Sequence, residues 1–231
     1  MTDRNSPIPP EARERELRQR LGIPNDAQRV LLISESSHWD PNWLMTSEEY
    51  WDRFVRNNLD LALEALQENP RRIYSIECIF FLRMYWDRCP ERRSTIKEFV
   101  NNGRLRLTHS GVTTADTLLP SAEALLRDWL VGQEWLRNQG MVQEPRLAYF
   151  PDCFGHAPTL PSLLRAVGFE FAAITRVDGM YFVGCDYELP FRFPRPGSSA
   201  ELLARHGTQD FVWRGPDEAA VLCHWNAHTY G

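Results

Sequence analysis

Repeatedly along this chain a short apolar, β-rich run is followed by a longer stretch of helical periodicity, and that alternation restricts the fold more than any other feature. A strand that feeds a helix and returns as the next strand comes back parallel to the first, so repeated βα units imply a parallel sheet covered by helices. The runs lie at residues 30–34 (Val-Leu-Leu-Ile-Ser), 73–78, 105–108, 146–150 and 171–175. Between the first two, Thr46-x-x-Glu49 has the form of a capping box and opens a helix whose apolar residues fall at Val55, Leu59, Ala62, Leu63 and Leu66. Asn69-Pro70 stops it. A second helical stretch breaks near Cys89-Pro90 and ends at Asn102-Gly103. A third, over residues 122–138, carries Leu125, Trp129 and Leu136 on one face, with Gly140 just past its end. A short helix over residues 161–167 precedes the fifth strand. Residues 177–207 are rich in Pro and Gly and read as a long loop. Strands at 211–213 and 221–223 then flank a turn at Gly215-Pro216-Asp217.

Composition narrows the class further. A chain of 231 residues, 43% hydrophobic and 25% charged, has the makeup of a globular protein with a sizeable core. Its net charge of −5 and the lack of a long basic run argue against nucleic acid as a partner. Residues 1–28 form a polar extension ahead of the folded region at 29–231, with Pro7, Pro9 and Pro10 expected to break any regular start. That extension has no apolar h-region, and no stretch is long enough to span a bilayer, so neither a signal peptide nor a membrane is expected. Five cysteines (Cys78, Cys89, Cys153, Cys185, Cys223) form an odd set without a CxxC pair. This argues against a disulfide framework and a cysteine-built zinc site, and fits a reducing cytoplasm. The oligomeric state is open, with a homo-oligomer allowed.

Two polar clusters follow strands directly. His38-Trp39-Asp40 lies after the first run, and residues two apart in extended backbone point the same way, so imidazole and carboxylate can converge on one point. One nitrogen and one oxygen donor suit Zn²⁺, although an isolated His-x-Asp is more often a solvated loop. Pro151-Asp152-Cys153-Phe154-Gly155-His156 follows the fourth run in the same manner. Functional groups of parallel α/β folds gather at the carboxyl ends of strands. The alternative for Asp152 is a turn or helix-capping carboxylate.

The segment Ser37-His38-Trp39-Asp40-Pro41-Asn42-Trp43, followed by Thr46-Ser47-Glu48-Glu49-Tyr50, resembles the opening motif of glycoside hydrolase family 38, the α-mannosidases. Tyr149-Phe150-Pro151-Asp152-Cys153-Phe154-Gly155-His156, with Leu160-Pro161 and Gly168-Phe169, resembles the nucleophile motif of that family. Gly103-Arg104-Leu105 and Leu119-Pro120-Ser121-Ala122-Glu123 look familial as well, and the likeness covers residues 30–230. The resemblance implies a distorted seven-stranded parallel (β/α) barrel, incomplete in this chain. It implies Zn²⁺ held by His38, Asp40 and Asp152, with Asp152 also the catalytic nucleophile. Trp43, Phe154 and Arg176 would then contact the substrate, a mannoside or oligosaccharide. The Trp39 and Pro41 pattern is closer to the bacterial branch.

The implied chemistry is hydrolysis with retention, which uses a nucleophilic carboxylate and a second carboxyl group that acts as acid and then base. The family pattern places that acid, and a fourth zinc ligand, downstream of Asp152 and beyond Gly231, so the 231-residue chain is expected to be inactive by itself. Within the chain His224 is the nearest stand-in for the ligand. Asp116 and Asp217 are conceivable acids in turn-like surroundings, and His109, His156, His206 and His228 read as structural or exposed. Three other readings stay open: a hydrolase of small mannosyl conjugates such as mannosylglycerate, a zinc-dependent deacetylase, and an inactive sugar-binding fragment.

Overall fold

The computed structural model describes residues 10–30, 35–109, 111–143, 146–153, 155–175 and 199–226. Its contacts divide the chain into two units, Met1–Ser34 and Glu35–Gly231. In the first, helix α1 spans Pro10–Leu21. The expected break at the prolines is not what happens at Pro10, because a proline at the first helical position gives up an N–H that would have no intrahelical partner anyway. Arg18 closes the unit on itself, pairing with Glu14 one turn back and donating to the carbonyls of Pro24 and Ala27.

The second unit is α/β, with seven described strands in two sheets. Strands β1 (Glu35–Ser37), β2 (Tyr74–Ile76) and β3 (Leu105–Leu107) pair in that order, all parallel. Strands β4 (Leu147–Phe150), β5 (Phe171–Ile174), β6 (Asp210–Arg214) and β7 (Ala220–Trp225) form the other, in the order β4-β5-β7-β6. Here β4, β5 and β7 are parallel, and β6 runs antiparallel to β7 across the turn at Gly215. The first strand lies later than the apolar run at 30–34 suggests: Val30 is outside any strand, and residues 31–34 lie outside the described residues.

Helices fall where the periodicity places them. Helix α2 (Ser47–Tyr50) opens on the capping box, Thr46 accepting from the Glu49 amide while the Glu49 carboxylate accepts from the Thr46 amide. One wide turn, Trp51–Val55, closed by the Arg56 amide on the Trp51 carbonyl, leads into α3 (Arg56–Glu68). Helices α4 (Ile79–Arg88) and α5 (Arg93–Asn101) are separated by a tight turn at Pro90–Arg92. Helix α6 (Ala122–Asn138) is capped by the Ser121 hydroxyl, and α7 (Leu160–Ala166) is short. Helix α8, Ser199–His206, corrects the reading of residues 177–207 as one loop; the part before residue 199 lies outside the described residues.

Two apolar cores result. One joins β2 and β3 to α3, α4 and α5 through Leu63, Leu66, Phe81, Tyr85, Ile96 and Phe99. The other joins β4, β5 and β7 to α7 through Phe150, Leu160, Leu164, Phe169 and Cys223. Helix α6 belongs to both, giving Leu136 to the first and Leu125 and Trp129 to the second.

Between the sheets the Tyr149 amide donates to the Thr108 carbonyl at 3.2 Å. His109, fully buried beside it, donates from Nδ1 to the Tyr149 carbonyl (3.1 Å) and accepts at Nε2 from the Trp129 indole N–H (2.8 Å). This pair of bonds requires the neutral ring, and burial pushes the His109 pKa down from 6.5 to about 4.

The sign follows from which state takes the proton first. Between pH 6.5 and 4 the unfolded chain binds a proton at His109 that the folded chain refuses, so stability is complete above this window and falls as pH drops through it. The loss amounts to about 3 kcal/mol from this residue. His156, whose pKa burial also lowers to about 4, acts in the same direction. Urea unfolding at pH 7 and pH 4.5 should show the decline, and His109→Gln, which can keep both hydrogen bonds without titrating, should make it shallower; an unchanged slope would refute the assignment. Gly111 is required nearby for space, since a Cβ there would overlap the Asp128 carboxylate and press on Trp129 and His109. Gly111→Ala should therefore lower stability by about 1–3 kcal/mol in the same assay.

Candidate metal centre

Parallel strands present all their carboxyl ends on one side, and two of these ends carry the polar clusters. His38, Trp39 and Asp40 follow β1 directly, in a loop. Trp39 turns away to pack edge-on against Phe81 of α4, with ring centroids 5.9 Å apart, which leaves His38 and Asp40 on the other side. Ser37, just before, is hydrogen-bonded to the hydroxyl of buried Tyr74 on β2.

After β4, Pro151 and Cys153 are buried and Asp152 is half-buried between them. Thr175, fully buried at the end of β5, holds that turn from beneath, its amide donating to the Phe150 carbonyl and its hydroxyl to the Pro151 carbonyl. Cys153 donates weakly to the Ala115 carbonyl, and burial pushes its thiol up to about 12, so it is a packing group rather than a nucleophile.

The two loops converge. His38 Nε2 lies 3.7 Å from an Asp40 oxygen and 3.4 Å from an Asp152 oxygen, and one donor atom from each residue can be chosen so that all lie within 4.8 Å of one another. Glu77, at the carboxyl end of β2 and only 4% exposed, places Oε2 2.6 Å from His38 Nδ1. Burial works against a charged His38, but the hydrogen bond and charge of Glu77, helped by Asp40 and Asp152, outweigh it and raise its pKa. Burial raises that of Glu77 as well, against the pull of His38.

Other residues singled out in the sequence lie elsewhere. Trp43 is 71% exposed in the loop before α2, so it is not a core tryptophan. Phe154 and Arg176 lie outside the described residues, as does His228. His224 is within β7 and pairs with Asp210 across the β6–β7 ladder at 2.8 Å; it is not in the His38 group. Asp116 accepts from the Leu118 amide, and Asp217 from the Ser162 hydroxyl and Ala219 amide, so both shape turns. His156 is held by the Thr117 hydroxyl between Phe150 and Trp213, and His206 is exposed on α8. Sequence reasoning missed Glu77 and Thr175. Their one signal was a charge next to the end, or a hydroxyl at the end, of a strand-like run.

A family model described as "Glycosyl hydrolases family 38 N-terminal domain" matches residues 28–231. The chain belongs to glycosyl hydrolase family 38. Alpha-mannosidase 2x of Mus musculus is 32% identical over 196 residues, covering 84% of this chain and 16% of that protein. Alpha-mannosidase 2 of Homo sapiens is 30% identical over 202 residues, again 84% of this chain and 16% of that protein. The chain therefore spans about a sixth of the length of these curated relatives. Among solved structures, an alpha-mannosidase from Enterococcus faecalis V583 superposes with a TM-score of 0.64 at 24% identity, covering 84% of this chain and 20% of that one. A 4-alpha-glucanotransferase from Thermococcus litoralis gives 0.58 at 14% identity, covering 84% of this chain and 27% of that one. At such identities the structural likeness speaks for the fold alone.

A cation bound by these three side chains would stabilise the folded chain by about 2.7 kcal/mol when its free concentration is a hundred times its Kd. Melting followed with divalent cations and with chelator should show that rise in wild type and lose it in His38→Ala and Asp152→Ala. Equal shifts in all three proteins would place the binding elsewhere.

Proposed function

We propose that the chain carries the nucleophile and three metal ligands of a zinc-dependent, retaining α-mannoside hydrolase. The observation that supports this most is the convergence of His38, Asp40 and Asp152 at the carboxyl ends of β1 and β4. The donor set fits the ion: one imidazole nitrogen and two carboxylate oxygens suit Zn²⁺, and in a tetrahedron with bonds near 2.0–2.1 Å the donors stand about 3.3–3.4 Å apart. The His38–Asp152 and His38–Asp40 separations of 3.4 and 3.7 Å are close to that edge. Three carboxylates gathered about one imidazole also carry an excess of negative charge that a divalent cation would offset. When bound, zinc would supply electrostatic attraction for neighbouring sugar hydroxyls and favour the ionised form of Asp152.

The covalent work falls to Asp152. One of its oxygens attacks the anomeric carbon as the glycosidic C–O bond breaks, the bonding pair leaves on the aglycone oxygen, and a general acid protonates that oxygen. Water then displaces Asp152 from the glycosyl ester, and two inversions give net retention. That acid and a fourth zinc ligand are not assigned to any described residue of this chain. The exposed Trp43 offers an aromatic face to the C–H groups of a pyranose, and Phe154 and Arg176 are proposed as further substrate contacts on the family pattern.

The finer placement follows the same reading. The two sheets are proposed as arcs of one distorted seven-stranded barrel, supported by the Tyr149–Thr108 hydrogen bond between them. The bacterial branch is supported by Trp39 and Pro41. A cytoplasmic site is supported by four buried free thiols, Cys78, Cys89, Cys153 and Cys223. No helix among the described residues is long and apolar enough to cross a membrane.

The test avoids the need for the acid. A 5-fluoro-α-mannosyl fluoride departs without protonation of its leaving group, and its ring fluorine slows hydrolysis of the ester. Incubated with the chain and Zn²⁺, it should leave a mannosyl-sized mass on the peptide containing Asp152 and none in Asp152→Asn, whose folding is checked by circular dichroism. In a longer form with full activity, that substitution should cost on the order of 10⁴-fold or more in kcat. Labelling of another carboxylate, or equal labelling of the variant, would refute the nucleophile.

A further inference from the structure

We propose that Glu77 is a positioning residue, fixing His38 with its proton on Nδ1 so that Nε2 faces Asp40 and Asp152; the inference rests on the metal reading given above and extends it to a residue outside the ligand set. The sequence of β2 delivers the carboxylate to the right place. Tyr74, Ser75 and Ile76 pair in parallel register with Glu35, Ser36 and Ser37 of β1, so the residue after β2 lies beside the residue after β1. Those two residues are Glu77 and His38.

The geometry divides the two ring nitrogens. Nδ1 is 2.6 Å from Glu77 Oε2, and Nε2 is the atom within 4 Å of Asp40 and Asp152. A carboxylate accepts and does not donate, so the hydrogen on Nδ1 points at Glu77, and Nε2 is the nitrogen that faces Asp40 and Asp152. The contact is also shielded. Glu77 is 4% exposed, and a buried carboxylate without a partner is costly, so its position is tied to the imidazole it meets. Trp39, the next residue, packs edge to face against Phe81, which anchors the loop that carries His38. An acceptor on the distal nitrogen both orients a histidine ligand and raises its basicity, and removing such a partner weakens metal binding about 10–100-fold.

The experiment uses the whole chain and Zn²⁺ itself. Two-bond ¹H–¹⁵N spectra of metal-free protein, recorded on the alkaline plateau of the His38 titration, should show the His38 proton on Nδ1; His38→Ala assigns the signal. A proton on Nε2 overturns the proposal, and this measurement needs no Glu77 variant and no metal. Zinc affinity is then read by competition with a chromophoric chelator. Glu77→Ala should bind about 10–100-fold more weakly than wild type, while Glu77→Gln, whose carbonyl can accept the same N–H, should recover most of the difference. Affinity in Glu77→Ala within twofold of wild type, or no recovery in Glu77→Gln, would also overturn it. If Glu77→Ala does not fold, the Glu77→Gln affinity and the wild-type tautomer decide. Absence of zinc binding by wild type would refute the metal reading instead, and the tautomer would still settle what Glu77 does.

Discussion

His38 and Asp152 belong to different sheets, and what brings them together is the seam between β3 and β4. This seam is not an ordinary ladder. One backbone hydrogen bond crosses it, from the Tyr149 amide to the Thr108 carbonyl. The Gln143 side chain occupies the next place along the β3 edge, accepting from the Leu107 amide and donating to its carbonyl as a neighbouring strand would. His109 completes the join by tying the Tyr149 carbonyl to the indole of Trp129. Each of these bonds is buried or half-buried, where a lost partner costs more than at the surface. Helix α6 reinforces the seam by giving side chains to both cores, so the sheets cannot part without opening apolar surface on each side.

Much of this was legible in the sequence, for physical reasons that also explain the misses. Residues 122–138 are readable because a Ser cap, a 3.6-residue apolar stripe and a following glycine agree, and helix α6 spans Ala122–Asn138. Strands β3, β4 and β5 are readable because buried apolar side chains alternate along them. Strand β1 is not: Glu35, Ser36 and Ser37 contain no apolar side chain, so hydrophobicity points to the run before them. What makes Glu35–Ser37 a strand is the backbone pairing with β2, helped by the ion pair of Glu35 with Arg72, and such partners are 37 to 39 residues away. Helix α8 was hidden by the Pro- and Gly-rich composition of the segment before it, although its own residues carry an amphipathic pattern.

The candidate site divides in the same way. Period-two geometry was enough to put His38 and Asp40 on one side of an extended segment with Trp39 on the other, and the structure keeps that alternation. Position after a strand was enough to single out Asp152. Neither argument can reach Glu77, because its significance lies in a neighbour 39 residues earlier and in a register that no single segment encodes. Thr175 is similar: a threonine ending a strand is unremarkable until its hydroxyl is seen to hold the Pro151 carbonyl under the Asp152 turn.

The residues that make the site useful are those a stable fold would avoid. Glu77 is buried, Asp40 and Asp152 stand close to the same imidazole, and their like charges repel. Within the chain that repulsion is offset in part by the hydrogen bond between His38 and Glu77. The surroundings are correspondingly stiff. Trp39, Tyr50 and Phe80 pack around Phe81 in edge-on contacts of 5.1–6.4 Å, and the wide turn at Trp51–Val55 buries both its end residues. Packing of this kind on the Trp39 side limits how far the loop that carries His38 and Asp40 can shift. A cation entering the group would meet His38 close to both carboxylates, at 3.7 and 3.4 Å, and would have less to gather than in an open chain. The strain of like charges and the rigidity that maintains it are two aspects of one arrangement, and weakening either should loosen the metal more than it loosens the fold.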